Sequence, residues 1–118
     1  GQLQEFGMTA TVVDAIDGDS FTSQQEIADL GATTLPNYVG HKNTLPHLTS
    51  GQLGCFMSHF TVWQHMVDNN IPAALILEDD FDLQEDFARR LGENLEEARG
   101  EDWNLMYLGR SPTESDPR

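Results

Sequence analysis

Cations are scarce in this chain. Six Lys and Arg stand against 20 Asp and Glu, giving a net charge of −14 over 118 residues. A nucleic-acid binder needs a basic face, and six scattered cations cannot make one. The same surplus of acid argues against adsorption to an anionic membrane surface. Cysteine is nearly absent as well. Cys55 stands alone, so no intrachain disulfide is possible and the redox compartment stays open. Long apolar runs are missing: no stretch approaches the roughly 20 apolar residues of a membrane span, and no signal peptide is evident. An initiator Met is missing too. The chain opens at Gly1-Gln2-Leu3 and stops at Asp116-Pro117-Arg118. It reads as a piece of a longer protein, so absent targeting signals carry little weight. What is present is 38% hydrophobic content in periodic blocks, enough for one small domain with a modest core.

The most informative stretch is Ala73-Ala74-Leu75-Ile76-Leu77-Glu78-Asp79-Asp80, five apolar residues running into three acids. A short apolar run of this length reads as a strand buried on both faces, as in a parallel sheet. Residues 9–16 are β-prone and close on the turn signal Asp17-Gly18. Residues 103–108, Trp-Asn-Leu-Met-Tyr-Leu, read as a third strand ending at Gly109-Arg110. Helices are expected between them. Ser23-Gln24-Gln25-Glu26 fits a capping box for a short helix over 20–30, and Thr49-Ser50-Gly51-Gln52 fits a second one. From there Leu53, Phe56, Met57, Phe60, Trp63, Met66 and Val67 recur at spacings of three and four, one apolar face of a helix that Asn69-Asn70 and Pro72 end. That face reads as core. A further helix starts at 82–85, with Phe87, Leu91, Leu95 and Ala98 as its stripe and Gly100 beyond its end. The alternation of strand and helix predicts an α/β fold with a mostly parallel sheet.

Several residues have bland readings. Residues 31–48 look like an irregular loop, with His41 and His47 as ordinary loop histidines. Glu93, Glu96, Glu97, Glu101 and Asp102 read as a solvated face. Cys55 and His59 are spaced i, i+4, but zinc would need two further ligands that the sequence does not reveal. A Cys-His nucleophile lacks an orienting partner. Asp17 either shapes its turn or binds a ligand, and the residues leave both open.

The acids at 78–80 carry the chemistry. Ligands of open parallel sheets bind beyond the carboxyl ends of the strands. Three carboxylates there repel one another and are costly to desolvate unpaired. A hard divalent cation shared with substrate phosphates would relieve both costs. With the strand pleat kept, Glu78 and Asp80 point to one side and form the pair able to share a metal. A second reading is Asp80-Phe81-Asp82, the acid-x-acid spacing of aspartate-nucleophile phosphatases, although Leu83-Gln84 stands where those enzymes place Thr or Gly. A third is that the acids only cap the next helix.

Four stretches resemble glycosyltransferase family 25. They are Val12-Val13-Asp14-Ala15-Ile16-Asp17-Gly18, residues 48–59 (Leu-Thr-Ser-Gly-Gln-Leu-Gly-Cys-Phe-Met-Ser-His), Leu75-Ile76-Leu77-Glu78-Asp79-Asp80, and residues 102–110 (Asp-Trp-Asn-Leu-Met-Tyr-Leu-Gly-Arg). The likeness implies a GT-A-like nucleotide-sugar domain, incomplete at both ends. Residues 1–110 would form its donor side and residues 111–118 a flexible tail. It implies UDP-galactose as donor and Mn²⁺, or Mg²⁺, as metal held by Glu78 and Asp80. Asp79 would complete the diphosphate motif, Asp17 would lie near the nucleotide pocket, and Ser58-His59 would back it. Arg110 would lie near the diphosphate. Transfer to collagen-type hydroxylysine inverts the anomeric centre and needs a general base, for which Asp82 is the weak candidate. The acceptor would be a protein in the procollagen branch, whose address is the endoplasmic reticulum lumen. In the bacterial lipooligosaccharide branch it would be a glycan, and the address cytoplasmic. The Tyr-Leu-Gly-Arg ending looks more like the procollagen branch. The alternative is a non-catalytic adhesion or interaction relative, against which the intact Glu78-Asp79-Asp80 weighs. This stretch alone is expected to be inactive.

Overall fold

The computed structural model describes residues 1–21, 24–31 and 48–109. Helices α1 (Gln2–Glu5), α2 (Gln24–Asp29), α3 (Ser50–Asp68) and α4 (Phe87–Glu97) are joined by extended and turn segments, with a 3₁₀ turn at Gly18–Ser20. The chain divides into two compact units, one of Thr11–Ile76 and one of Gly1–Ala10 with Leu77–Arg118.

The expected parallel sheet is absent among the described residues, which hold no β-strand. Residues 9–16, 73–78 and 103–108 form no strand, and the chain bends at Asn104 and Leu108. A strand is stable only when its backbone finds a ladder partner and its side chains a covering layer. Here Val12 is 88% exposed and Tyr107 80%, so neither has such a covering layer. An apolar run announces that a segment can be buried; it does not supply the segment that pairs with it. With no sheet, the shared edge expected for Gly109, Arg110 and residues 78–80 has no basis either.

In the Thr11–Ile76 unit, α3 is the frame. The expected capping box is present: the Gln52 amide donates to Thr49 Oγ1 at 3.1 Å, and the Thr49 amide donates to Gln52 Oε1 at 2.9 Å. Its far end closes as expected at the paired asparagines. Asn70 takes φ +53°, and the Asn70 and Ile71 amides donate to Val67 and Met66 carbonyls at 3.2 and 2.9 Å. This is the two-bond Schellman closure, with Asn in the left-handed position. The apolar face of α3 is core only in its first turns. Leu53 and Met57 are buried, with Ile16 and Phe21 packed on them, while Phe56, Phe60, Trp63 and Val67 are exposed. α2 falls inside the helix expected over 20–30; Ser23, its expected cap, lies outside the described residues, as do His41 and His47.

In the other unit, α1 closes with the same two bonds as α3. Gly7, at φ +68°, supplies the left-handed residue, and Gly7 and Met8 amides donate to Gln4 and Leu3 carbonyls. Phe6 meets Phe87 of α4 edge to face, centroids 5.9 Å apart. α4 begins at Phe87, later than the 82–85 expected; its N-cap is Asp86, whose side chain makes no capping bond. The Asp86 carboxylate instead takes Arg89 at 2.8 Å and Arg90 at 2.7 Å, and Arg89 also reaches Glu93 at 2.7 Å. These are spacings of three and four on one helix. Gly100 adopts φ +89° just past the end. The tail at 111–118 lies outside the described residues.

Candidate functional site

Two groups of the expected site residues have defined surroundings, one in each unit. The first is the turn carrying Asp17. Asp17 precedes a 3₁₀ turn and caps it, its Oδ1 accepting from the Asp19 amide at 2.9 Å. Its carbonyl takes the Ser20 hydroxyl at 2.6 Å. The residues on either side are fixed to α3. On one side the Ile16 amide donates to Ser58 Oγ at 2.9 Å, and the Ser58 hydroxyl in turn donates to the Gly54 carbonyl at 2.7 Å. On the other, Gly18 lies buried against the helix: a Cβ there would run into the Ser50 carbonyl, and one on Gly54 would stand 2.7 Å from both Gly18 N and Ile16 O. Backbone meets backbone across two glycines. Asp17 itself is exposed, and the described residues offer its Oδ2 no partner. A carboxylate only accepts hydrogen bonds and repels phosphate. What Asp17 can hold is therefore a hydroxyl or N–H donor, as on a ribose or a base. His59 lies on the same helix with its ring 5.9 Å from that of Trp63.

The second group is the acidic stretch. Glu78, Asp79 and Asp80 are exposed, and a turn begins at Asp79. Among the described residues, Asp79, Asp80 and Asp82 have no ion pair or side-chain hydrogen bond. Asp82 is framed by an amide clamp. The Gln2 side chain accepts from the Leu83 amide at 2.6 Å and donates to the Phe81 carbonyl at 3.5 Å. This arrangement fixes the backbone on both sides of Asp82 and leaves its carboxylate exposed. No three of the carboxylates at 78–82 bring their oxygens within 4.8 Å of one another. They form no closed cage, but the donor set fits a hard divalent cation. Such ions commonly take one or two carboxylates and complete their shell with phosphate and water. The strand pleat that would have put Glu78 and Asp80 on one side is absent, because no strand forms there and a turn begins at Asp79. Arg110 lies outside the described residues.

Clustered acids are costly when desolvated at a buried strand end, but in water their repulsion is small and screened. Their retention is therefore weaker evidence for a metal than a buried strand end would have made it.

Sequence reasoning missed three residues. Gly18 and Gly54 form the backbone contact that seats the Asp17 turn, and Gln2 holds residues 81–83. Gly54 did carry a signal: a glycine inside a strong helical pattern often marks close packing. Gln2 carried none, because its partners lie about 80 positions away.

The family model "Glycosyltransferase family 25 (LPS biosynthesis protein)" matches residues 1–116. Procollagen galactosyltransferase 1 of Danio rerio is 35% identical over 98% of this chain and 20% of its own length. Procollagen galactosyltransferase 2 of Homo sapiens is 33% identical over 92% of the chain and 17% of its length. Inactive glycosyltransferase 25 family member 3 of Homo sapiens is 36% identical over 92% and 18%. The chain thus spans about a fifth of the length of these curated relatives. No solved structure matches.

Proposed function

The chain belongs to glycosyltransferase family 25, and from that premise we propose that it is the donor-binding part of a metal-assisted hexosyltransferase. The donor is UDP-galactose and the acceptor a collagen-type hydroxylysine, since relatives named procollagen galactosyltransferases match nearly all of the chain. A lumenal address in the endoplasmic reticulum accompanies that branch. The observation that carries the reading is the family match over 1–116, which spans both Asp17 and the acids at 78–80. Membership of the family leaves the phosphatase reading of Asp80 and Asp82 without footing.

In this reading Glu78 and Asp80 would hold Mn²⁺ or Mg²⁺, with Asp79 and Arg110 beside the diphosphate. A bound ion of that kind offsets the charge that develops on the departing UDP. Asp17 accepts a hydroxyl or N–H of the nucleoside, and the helix carrying Ser58 and His59 backs it. For the base that inversion needs, this chain offers Asp82 as its candidate. Its carboxylate takes the proton of the acceptor hydroxyl as that oxygen bonds to the anomeric carbon and UDP leaves from the opposite face.

A second reading has a specific observation behind it: relatives named inactive are as similar to this chain as those named galactosyltransferases. Calorimetric titration of UDP-galactose into the full-length protein, with and without Mn²⁺ and beside Asp80→Asn, separates the two. Metal-dependent binding lost in the variant supports the transferase. A folded full-length protein that binds no donor favours the non-catalytic relative.

A further inference from the structure

We propose that Ser58 is a positioning residue for Asp17: its hydroxyl fixes the turn that presents this carboxylate to the nucleoside part of the donor. The proposal rests on the reading of Asp17 as a donor-binding residue and adds the device that makes it one.

Asp17 belongs to an otherwise extended and exposed segment, so its chain could sample many directions. It is held because the two residues flanking it are docked on one helix. The Gly18 side is fixed by shape, backbone against backbone at Ser50 and Gly54. The Ile16 side is fixed by one hydroxyl, which accepts the Ile16 amide at 2.9 Å and donates to the Gly54 carbonyl at 2.7 Å. That second bond orients the hydroxyl and turns a lone pair toward Ile16. Serine inside a helix ordinarily makes only the bond back to its own helix. Here the same oxygen also serves a residue 42 positions earlier. Removing it frees one of the two anchors of Asp17 and leaves the other. α3 itself has no need of the group, because alanine is the better helix former.

The test is donor affinity in the full-length protein, measured by calorimetry with UDP-galactose, together with thermal midpoints. Asp17→Asn should weaken binding roughly tenfold, the loss of one charge-assisted hydrogen bond. Ser58→Ala should weaken it by roughly fivefold to tenfold on the same basis. The double variant should be no weaker than Asp17→Asn alone, because a carboxylate that is gone cannot be mispositioned. Ser58→Thr, which keeps the hydroxyl, should restore most of the affinity. A residue that merely supports the fold would show neither the coupling to Asp17 nor the rescue. Ser58→Cys keeps the size and weakens the bond, so it gives the same reading should the alanine variant not fold. Wild-type affinity in a folded Ser58→Ala or Ser58→Cys, with Asp17→Asn impaired, overturns the positioning role and leaves the reading of Asp17 standing. Wild-type affinity in Asp17→Asn overturns both. Additive losses in the double variant show that Ser58 acts independently and overturn the proposal.

Discussion

Replacing Gly54 by alanine sets two known effects against each other. Glycine within a helix costs about 1 kcal/mol relative to alanine, so propensity alone predicts a gain. Packing predicts the reverse. The new Cβ would stand 2.7 Å from Gly18 N and from Ile16 O, about 0.7 Å inside the 3.4 Å of ordinary contact. Both are backbone atoms and cannot swing aside. Overpacking of this kind costs about 1–3 kcal/mol. If the 16–18 segment backs away instead, the 2.9 Å bond from Ile16 to Ser58 stretches beyond hydrogen-bonding range, at a cost of about 1 kcal/mol. The packing cost less the propensity gain leaves a net loss of up to about 2 kcal/mol. Gly51→Ala is the control in the same helix. Its Cβ would meet nothing nearer than Thr49 Oγ1 at 3.9 Å, so it should be neutral or stabilise by up to about 1 kcal/mol. Urea and thermal unfolding of the two variants beside the wild type read the difference, roughly 5–10 °C in midpoint. Gly54→Ala as stable as Gly51→Ala would refute the close docking of residues 16–18 on α3, and with it the account of how Asp17 is held.

Leu53 is 2% exposed, and Leu53→Ala should cost about 2–4 kcal/mol by opening a cavity. The same change at Val67, 72% exposed, should cost less than about 0.5 kcal/mol; equal losses in denaturant melts would show that the core is elsewhere. The Arg90 hydrogen bond holds the Asp86 carboxyl below its ordinary value of 3.8; desolvation, the next largest effect, opposes it, and the charge of Arg90 and the bond and charge of Arg89 add to the lowering. Folding lowers this pKa, so the stabilisation is present above the unfolded value and disappears as pH falls through the folded one. Asp86→Asn should therefore melt slightly below wild type at neutral pH, and the two should converge below about pH 4. A gap that persists at pH 2, or does not shrink in high salt, would speak against an ion-pair origin.

Local signals read correctly and long-range ones did not. The Thr49-Ser50-Gly51-Gln52 box and the Asn69-Asn70 stop are contacts within four or five residues, so the letters contain both partners. The stripe Phe87, Leu91, Leu95, Ala98 was visible for the same reason, although the start of α4 was misplaced. Asp86 was free to choose between the helix amides and two arginines, and the arginines won. The three apolar runs at 9–16, 73–78 and 103–108 announced burial but not pairing, and among the described residues they form no strand. The residues of the site were legible as residue types. Their supports were not. The Ser58 to Ile16 and Gln2 to Leu83 bonds join positions 42 and 81 apart, and no local pattern encodes them.

The Ile16 amide also makes this region observable over time. The amides of Val12 and Val13 belong to an exposed extended segment, and no hydrogen bond holds either of them among the described residues. They should exchange their protons with solvent at nearly the unprotected rate. The Ile16 amide, held by a side chain, should exchange only when that anchor opens. Its rate is thus a clock for the release of the Asp17 turn, readable one residue from the carboxylate itself. A ligand gripping Asp17 would have to slow that clock, while leaving the amides of Val12 and Val13 untouched.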